Sequence, residues 1–337
     1  MLDDFIPISG DKPAFSQAHK GELWPIILEK AWAKIHGSYE RIEAGQAHLT
    51  MRDVTGAPAY EYFIEKTPNI FDMILEADQQ HYIITAGCCA DNEAEVAYLR
   101  NKGLIAEHSY GIIKAARVKD KQGKSVDLCQ LRNPWGKFEW TGRWSDKSDC
   151  WTPELKKQLN VVARNDGLFW MDFEDLNDFF PRLQICKYNN KHKYSFEPYK
   201  GNWGIFYFLI DTSGMHTFSI SQVGERMAPR GSKYHYSDAR MFLIKGNRNF
   251  NPTKETDFEY IAGTKDFHKR DIYLEVKNLQ RGYYYLFCEI DWSEESSFAQ
   301  QNFTATCYGE SKLTFENKTK EFKREAVVRA TCSAMLK

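Results

Sequence analysis

The chain has 337 residues, 42% of them hydrophobic and 27% charged, with a formal net charge of -1. That balance excludes a disordered chain, and the near-neutral charge gives no electrostatic basis for partnership with nucleic acid. The longest apolar run, from Gly204 to Ile210, is too short to span a bilayer, and Met1-Leu2-Asp3-Asp4-Phe5 lacks the basic start and apolar stretch of a signal peptide. A cytoplasmic, two-domain protein is the expectation, not a transmembrane one.

Residues 1 to about 20 read as irregular and polar. From Glu22, the residues Leu23, Trp24, Ile27, Leu28, Ala31, Trp32 and Ile35 recur with helical period; Pro25 suits the first turn, and Gly37 suits the left-handed position after the last. The pattern then predicts a helix over 69–78, a strand over 82–85 and a short helix over 94–101. Segments 109–118 and 126–132 read as a strand pair joined by the polar loop 119–124. Trp140, Trp144 and Trp151 mark an aromatic turn region, while 169–180 carries both strand and helix signals. The polar stretch 187–194 reads as a linker. Beyond it, short strand-like runs at 203–210, 216–223, 240–244, 272–276, 283–290 and 303–308 alternate with turn signals, the pattern of an antiparallel β-sandwich. The fold class is therefore α+β: helices with an antiparallel sheet over 1–186, then a β-sandwich over 187–337.

Eight cysteines, at 88, 89, 129, 150, 186, 288, 307 and 332, form no CxxC pair and no zinc spacing, so reduced thiols are expected. The chemical signal lies elsewhere. His108 stands at the head of one predicted strand, and Asn133 follows 25 residues later at the end of the next, in Arg132-Asn133-Pro134-Trp135-Gly136. A histidine can take a thiol proton, and an asparagine amide oxygen can hold the imidazole in the useful tautomer, with Trp135 shielding that hydrogen bond from water. This resembles the back half of a papain-type cysteine protease. His36, His48, His81, His192, His216, His235 and His268 read as packing or solvated side chains.

More of the chain carries the likeness. The run from Glu22 to Tyr39, Asn133-Pro134-Trp135-Gly136, Glu139-Trp140-Thr141-Gly142, Trp144-Ser145-Asp146 and Asp166-Gly167-Leu168-Phe169-Trp170-Met171 resemble the second catalytic subdomain of calpains. Phe218-Ser219-Ile220-Ser221-Gln222 and Gly282-Tyr283-Tyr284 resemble the C2-like β-sandwich domain that follows it. The resemblance implies a calcium-dependent, cysteine-type endopeptidase of intracellular proteolysis, with catalytic His108 and Asn133. No segment resembles the family's Gly-Asp-Cys-Trp nucleophile motif. Papain-like enzymes carry their cysteine roughly 130–150 residues before the histidine and asparagine, a distance that runs off the start of this chain. The expectation is a His/Asn lobe lacking its Cys lobe and inactive alone; Cys88 and Cys89, with no helix N-terminus to lower their pKa, are poor substitutes.

The resemblance also implies calcium at Glu139, Asp146 and Asp166, in a site weakened because Leu168 replaces an acidic ligand and Arg164 adds a positive charge. Glu289, Asp291, Glu294 and Glu295 read as a solvated acidic turn. The implied partners are protein substrates, a Cys-bearing lobe, or a protein that covers the exposed cleft face. The alternative is a non-catalytic homologue, a pseudoprotease binding calcium, lipid or protein through the β-sandwich, with at most weak peripheral membrane contact. An uncovered cleft face predicts exposed apolar surface and self-association.

Overall fold

The computed structural model describes residues 1–17 and 21–336, so the irregular stretch expected over 1–20 lies partly outside the described residues. The chain forms two compact units: residues 46–190, and residues 1–45 together with 191–337.

In residues 1–45, strands β1 (Ile8–Ser9) and β2 (Lys12–Pro13) pair antiparallel ahead of helix α1 (Trp24–His36). Pro25 sits in the first turn, where its missing N–H costs nothing, and Gly37 ends the helix at φ 105°. Of the α1 side chains only Ile26 and Ala33 are buried, while Trp24, Ile27, Leu28 and Ile35 stay exposed. Their spacing gathers them along one side. The helical periodicity read in the sequence thus marks a surface stripe as well as a core face.

The unit of residues 46–190 runs α2 (Ala47–Thr55), β3 (Ala59–Phe63), α3 (Ile70–Gln79), β4 (Ile83–Cys88), α4 (Glu93–Asn101), β5 (His108–Lys119), β6 (Ser125–Arg132), α5 (Pro153–Leu159), β7 (Leu168–Asp172), α6 (Phe173–Phe179) and β8 (Arg182–Cys186). Its strands form one antiparallel sheet in the order β3-β8-β4-β5-β6-β7. Ile74, Ala86, Tyr110, Leu131, Met171, Leu176 and Leu183 fill the core at 0% exposure. Each such large apolar side chain contributes about 1.5–3 kcal/mol by leaving water. The mixed signals over 169–180 resolve at Asp172, which ends β7 and caps α6 by accepting from the Asp175 N–H. Asn92 and Thr152 cap α4 and α5 in the same way.

Residues 191–337 supply β9 (Lys193–Lys200), β10 (Trp203–Ile210), β11 (Gly214–Gln222), β12 (Asp238–Gly246), β13 (Phe258–Asp266), β14 (Asp271–Leu279), β15 (Gly282–Asp291), β16 (Asn302–Gly309), β17 (Glu316–Asn317) and α7 (Arg324–Met335). Two antiparallel sheets, β13-β12-β15-β10-β17 and β14-β11-β16-β9, enclose Phe206, Phe208, Phe218, Ile220, Leu243 and Leu286. Cys288 and Cys307 are fully buried there as small hydrophobes, with burial pushing both thiols far up. The fold is α+β with antiparallel sheets in both units. Among the described residues no helix is long and apolar enough to cross a membrane.

Three features depart from the sequence reading. Strand β9 begins inside the stretch read as a linker, and α7 packs Val327 against Ile205, Ile244, Tyr285 and Phe287 in a region expected to hold strands alone. Glu289 is not part of a solvated turn: it is 9% exposed and bridges Arg240 and Arg324, while Asp291, Glu294 and Glu295 are exposed. Its carboxylate ties the start of α7 to β12. Glu289→Ala removes the shared partner of two partly exposed guanidinium groups and is expected to cost about 1 kcal/mol in chemical denaturation, against less than about 0.5 kcal/mol for the exposed Glu294→Ala.

Candidate active site

Two neighbouring interior strands of the six-stranded sheet, β5 and β6, place the pair. His108 opens β5, and Asn133 is the first residue past β6, whose last residue, Arg132, pairs with Gly111. The chain turns into β5 through Glu107, which holds a left-handed φ of 51° while its Oε1 accepts from the Ala90 N–H. A non-glycine residue in that conformation stores strain, and here it sits directly before the imidazole.

Asn133 is completely buried, and each hydrogen-bonding group of its side chain is engaged. Nδ2 donates to the carbonyl oxygens of Lys137 (2.7 Å) and Phe138 (3.3 Å). Oδ1 accepts from the Trp135 N–H at 3.0 Å and lies 3.0 Å from His108 Nε2. The two carbonyls fix which way the amide points, so the atom facing the histidine is an acceptor and Nε2 must carry the proton. Nδ1 is then the lone-pair nitrogen, the atom that can take a proton.

The imidazole is half-buried. Tyr110 meets it edge-on at 5.0 Å, and the Trp135 ring lies 4.7 Å away at a 50° tilt. Trp135 itself is 55% exposed, so it touches the imidazole while much of its ring faces outward. Burial lowers the His108 pKa, and the Asn133 hydrogen bond partly offsets this by stabilising the charged ring. The resting base is therefore neutral above the ordinary histidine range.

Burial disfavours the thiolate form at four cysteines of this unit. Cys88 pairs with His108 in the β4–β5 ladder, yet it is fully buried and burial pushes its thiol up to about 12. Burial and the charge of Glu107 raise Cys89, and burial raises Cys129 and Cys186. Cys150 packs against the Trp144, Trp151 and Trp170 cluster.

The acids read as calcium ligands occupy two facing loops. Glu139 Oε1 accepts from the N–H groups of Asp166 (2.8 Å) and Gly167 (2.7 Å), Asp146 Oδ2 from that of Arg164 (3.1 Å), and Asp166 Oδ1 from that of Leu168 (3.1 Å). Burial raises the Asp146 pKa; the Arg164 hydrogen bond opposes it, and the charges of Glu139 and Asp166 add to it. The three carboxylates thus feel one another, as a cation site requires. As placed, however, one oxygen of each is engaged by backbone amides. Among the described residues no group of three or more His, Cys, Asp or Glu side chains is arranged to hold a metal ion.

The structure brings together His108, Asn133 and Trp135, the residues singled out in the sequence, and adds the carbonyls of Lys137 and Phe138, which sequence reasoning missed. Main-chain acceptors carry no residue-type signal, and Phe138 adopts a left-handed φ of 63° that no glycine announces.

An α+β lobe presenting a histidine–asparagine pair at the ends of neighbouring strands belongs with the cysteine proteases. The chain is a member of the calpain family: the model for calpain family cysteine proteases matches residues 1–187. Calpain-9 of Rattus norvegicus is 36% identical over 216 residues, covering 60% of this chain and 31% of the relative. The calpain-1 catalytic subunit of Macaca fascicularis is 35% identical over 217 residues (60% and 30%), and Calpain-A of Drosophila melanogaster 32% over 225 residues (60% and 27%). The chain thus spans about three-tenths of the length of these relatives. A solved clostridial cysteine protease, Cwp84 C116A after propeptide cleavage, aligns with 74% of this chain and 58% of its own at 10% identity and a TM-score of 0.26, too low to bear on the fold.

The lowered His108 pKa has a definite sign. Folding favours the neutral ring, so its contribution to stability is whole above about 6.5 and is lost as pH falls through that value toward the folded pKa. Ring-proton NMR is expected to place the His108 midpoint below 6.5, and Asn133→Leu is expected to lower it further by removing the bond that favours the charged form.

Proposed function

We propose that this chain carries the general-base half of a calpain-type cysteine endopeptidase. His108 is the base, Asn133 its orienting partner and Trp135 the shield, while the nucleophile comes from a Cys-bearing lobe outside these residues. The observation that carries this reading is the 3.0 Å contact between His108 Nε2 and a buried amide oxygen whose orientation is fixed by two carbonyls. That bond leaves Nδ1 to take the thiol proton, giving a thiolate and an imidazolium whose Nε2–H stays on Asn133. The thiolate would attack the carbonyl carbon of a protein substrate, and the imidazolium would return its proton to the departing amine. With the thiols beside His108 buried and protonated, the chain alone lacks a nucleophile and is inactive. On this reading the functional modules are the protease lobe over 1–186, supported by the family match ending at 187, and the C2-like β-sandwich over 187–337.

Calcium at Glu139, Asp146 and Asp166 belongs to this proposal in a weakened form, since Leu168 supplies no side-chain oxygen and Arg164 lies in the same cleft. Calorimetry is expected to return a calcium Kd on the order of 1 mM or weaker. Asp146→Asn is expected to abolish it.

The test of the protease reading has two arms. An antibody against the β-sandwich is expected to detect a native product well above 39.3 kDa or a stable partner carrying a cysteine lobe. With that lobe present, His108→Gln is expected to lower peptide hydrolysis about a thousandfold. Hydrolysis by the isolated chain, or labelling of one of its own cysteines by a thiol-directed epoxide, would overturn the missing nucleophile. A native product of 39.3 kDa with no cysteine-bearing partner would favour the non-catalytic alternative.

A further inference from the structure

The geometry points to Glu139 as a positioning residue, whose carboxylate holds Asn133 in place by closing a ring of hydrogen bonds that needs no metal ion. This inference rests on the roles proposed for His108 and Asn133. The ring can be followed atom by atom. Asn133 Nδ2 donates to the carbonyls of Lys137 and Phe138, and Glu139 is the next residue in the chain. Its Oε1 crosses to the opposite loop and accepts from two successive amides, those of Asp166 and Gly167. The Gly167 carbonyl then accepts from the Asn133 N–H at 2.8 Å, which returns the ring to its start.

Two consecutive N–H groups converging on one oxygen form a small anion-binding nest, and a carboxylate fills such a nest better than a neutral acceptor. Gly167 makes the nest possible. Its φ is 85°, and a Cβ there would stand 2.7 Å from the Asn133 carbonyl oxygen and 2.9 Å from Gly136 Cα. The loops can approach this closely only with no side chain between them. Gly136, at φ 66°, closes the other flank through its N–H to the Asn133 carbonyl at 3.0 Å.

Asn133 therefore has two supports. Its amide is held directly by the carbonyls before Glu139, and its backbone by the loop that the Glu139 carboxylate grips. Without that carboxylate the 166–167 turn loses its anion and the Gly167 carbonyl loses its fixed height under Asn133. The Nε2–H of His108 then has a moving target.

The test uses the full chain in the presence of a chelator. Hydrogen exchange at the Asp166 and Gly167 amides and the His108 ring titration are compared among wild type, Glu139→Ala, Glu139→Gln and Glu139→Asp. The expected result is protection of both amides in metal-free wild type and about tenfold faster exchange in the alanine variant. Glutamine is expected to rescue part of the protection through its amide oxygen, and aspartate little, being one methylene short. The His108 midpoint in Glu139→Ala is expected to shift in the direction set by Asn133→Leu. Equal exchange in wild type and Glu139→Ala, protection that arises only on adding calcium, or a His108 midpoint unmoved by any substitution would overturn the inference. None of these readouts requires peptide hydrolysis. Failure of the protease reading would instead appear as inactivity beside an added cysteine lobe while the amides remain protected. If Glu139→Ala does not fold, the glutamine and aspartate variants carry the same comparison.

Discussion

The buried side chain of Asn133 is the constraint on which the candidate site depends. A primary amide removed from water must find partners for both its oxygen and its nitrogen, or it costs several kcal/mol. Here the nitrogen meets two carbonyls, and the oxygen meets one backbone N–H and one imidazole N–H. Satisfying the amide therefore dictates the tautomer of His108. It also dictates the path of residues 133–138, including the left-handed backbone at Phe138 and Gly136 that brings two carbonyls onto one nitrogen. Strain at Phe138 is held by the same set of bonds that orients the imidazole.

Much of this was legible in the sequence, for identifiable reasons. His108 and Asn133 are legible near strand ends because 109–118 alternates loosely, 126–132 is apolar and the loop between them is short and polar. Pro25 and Gly37 bracket α1 by their own backbone preferences. The illegible parts depended on tertiary context. Strand β9 has the polar composition of a linker because part of its surface faces solvent, although Ser195 is buried and pairs across to β16. Helix α7 has modest periodicity of its own and gains its place from Val327 against the sheet and from Arg324 on Glu289. Glu289 reads as one more acid in an acidic run, and only the cross-strand position of Arg240 shows why it is buried. In the site itself, residue types could announce the imidazole and the amide, but not the carbonyls that decide which face of the amide is presented.

The acidic loops illustrate how one residue set supports two chemistries. Glu139, Asp146 and Asp166 are numerous and close enough to suggest a cation, and burial raises Asp146, with repulsion from the other two adding to it. A divalent ion would relieve that repulsion, but relief is also available from backbone dipoles, and each carboxylate has taken it. An oxygen that accepts two amides has much of its charge neutralised by fixed partners that cost no dehydration. A metal must displace or share them, and here it must do so with Leu168 in place of an oxygen donor and a guanidinium nearby. The carboxylates thus begin from a satisfied state.

The same reasoning bears on the histidine. A general base is useful only if it rests unprotonated and gains by becoming charged at the right moment. Burial against Tyr110 and Trp135 keeps His108 neutral, while the Asn133 oxygen is placed to strengthen its bond once the ring takes a proton. These opposed effects leave the ring neutral but ready, and the charge that would complete the balance is the thiolate itself. An imidazolium formed beside a thiolate is stabilised by a partner that Asn133 cannot supply, being neutral. On the proposed reading, the arrangement within this chain is half of an ion pair. Its lowered pKa in isolation is the counterpart of the raised pKa that a neighbouring thiolate would confer.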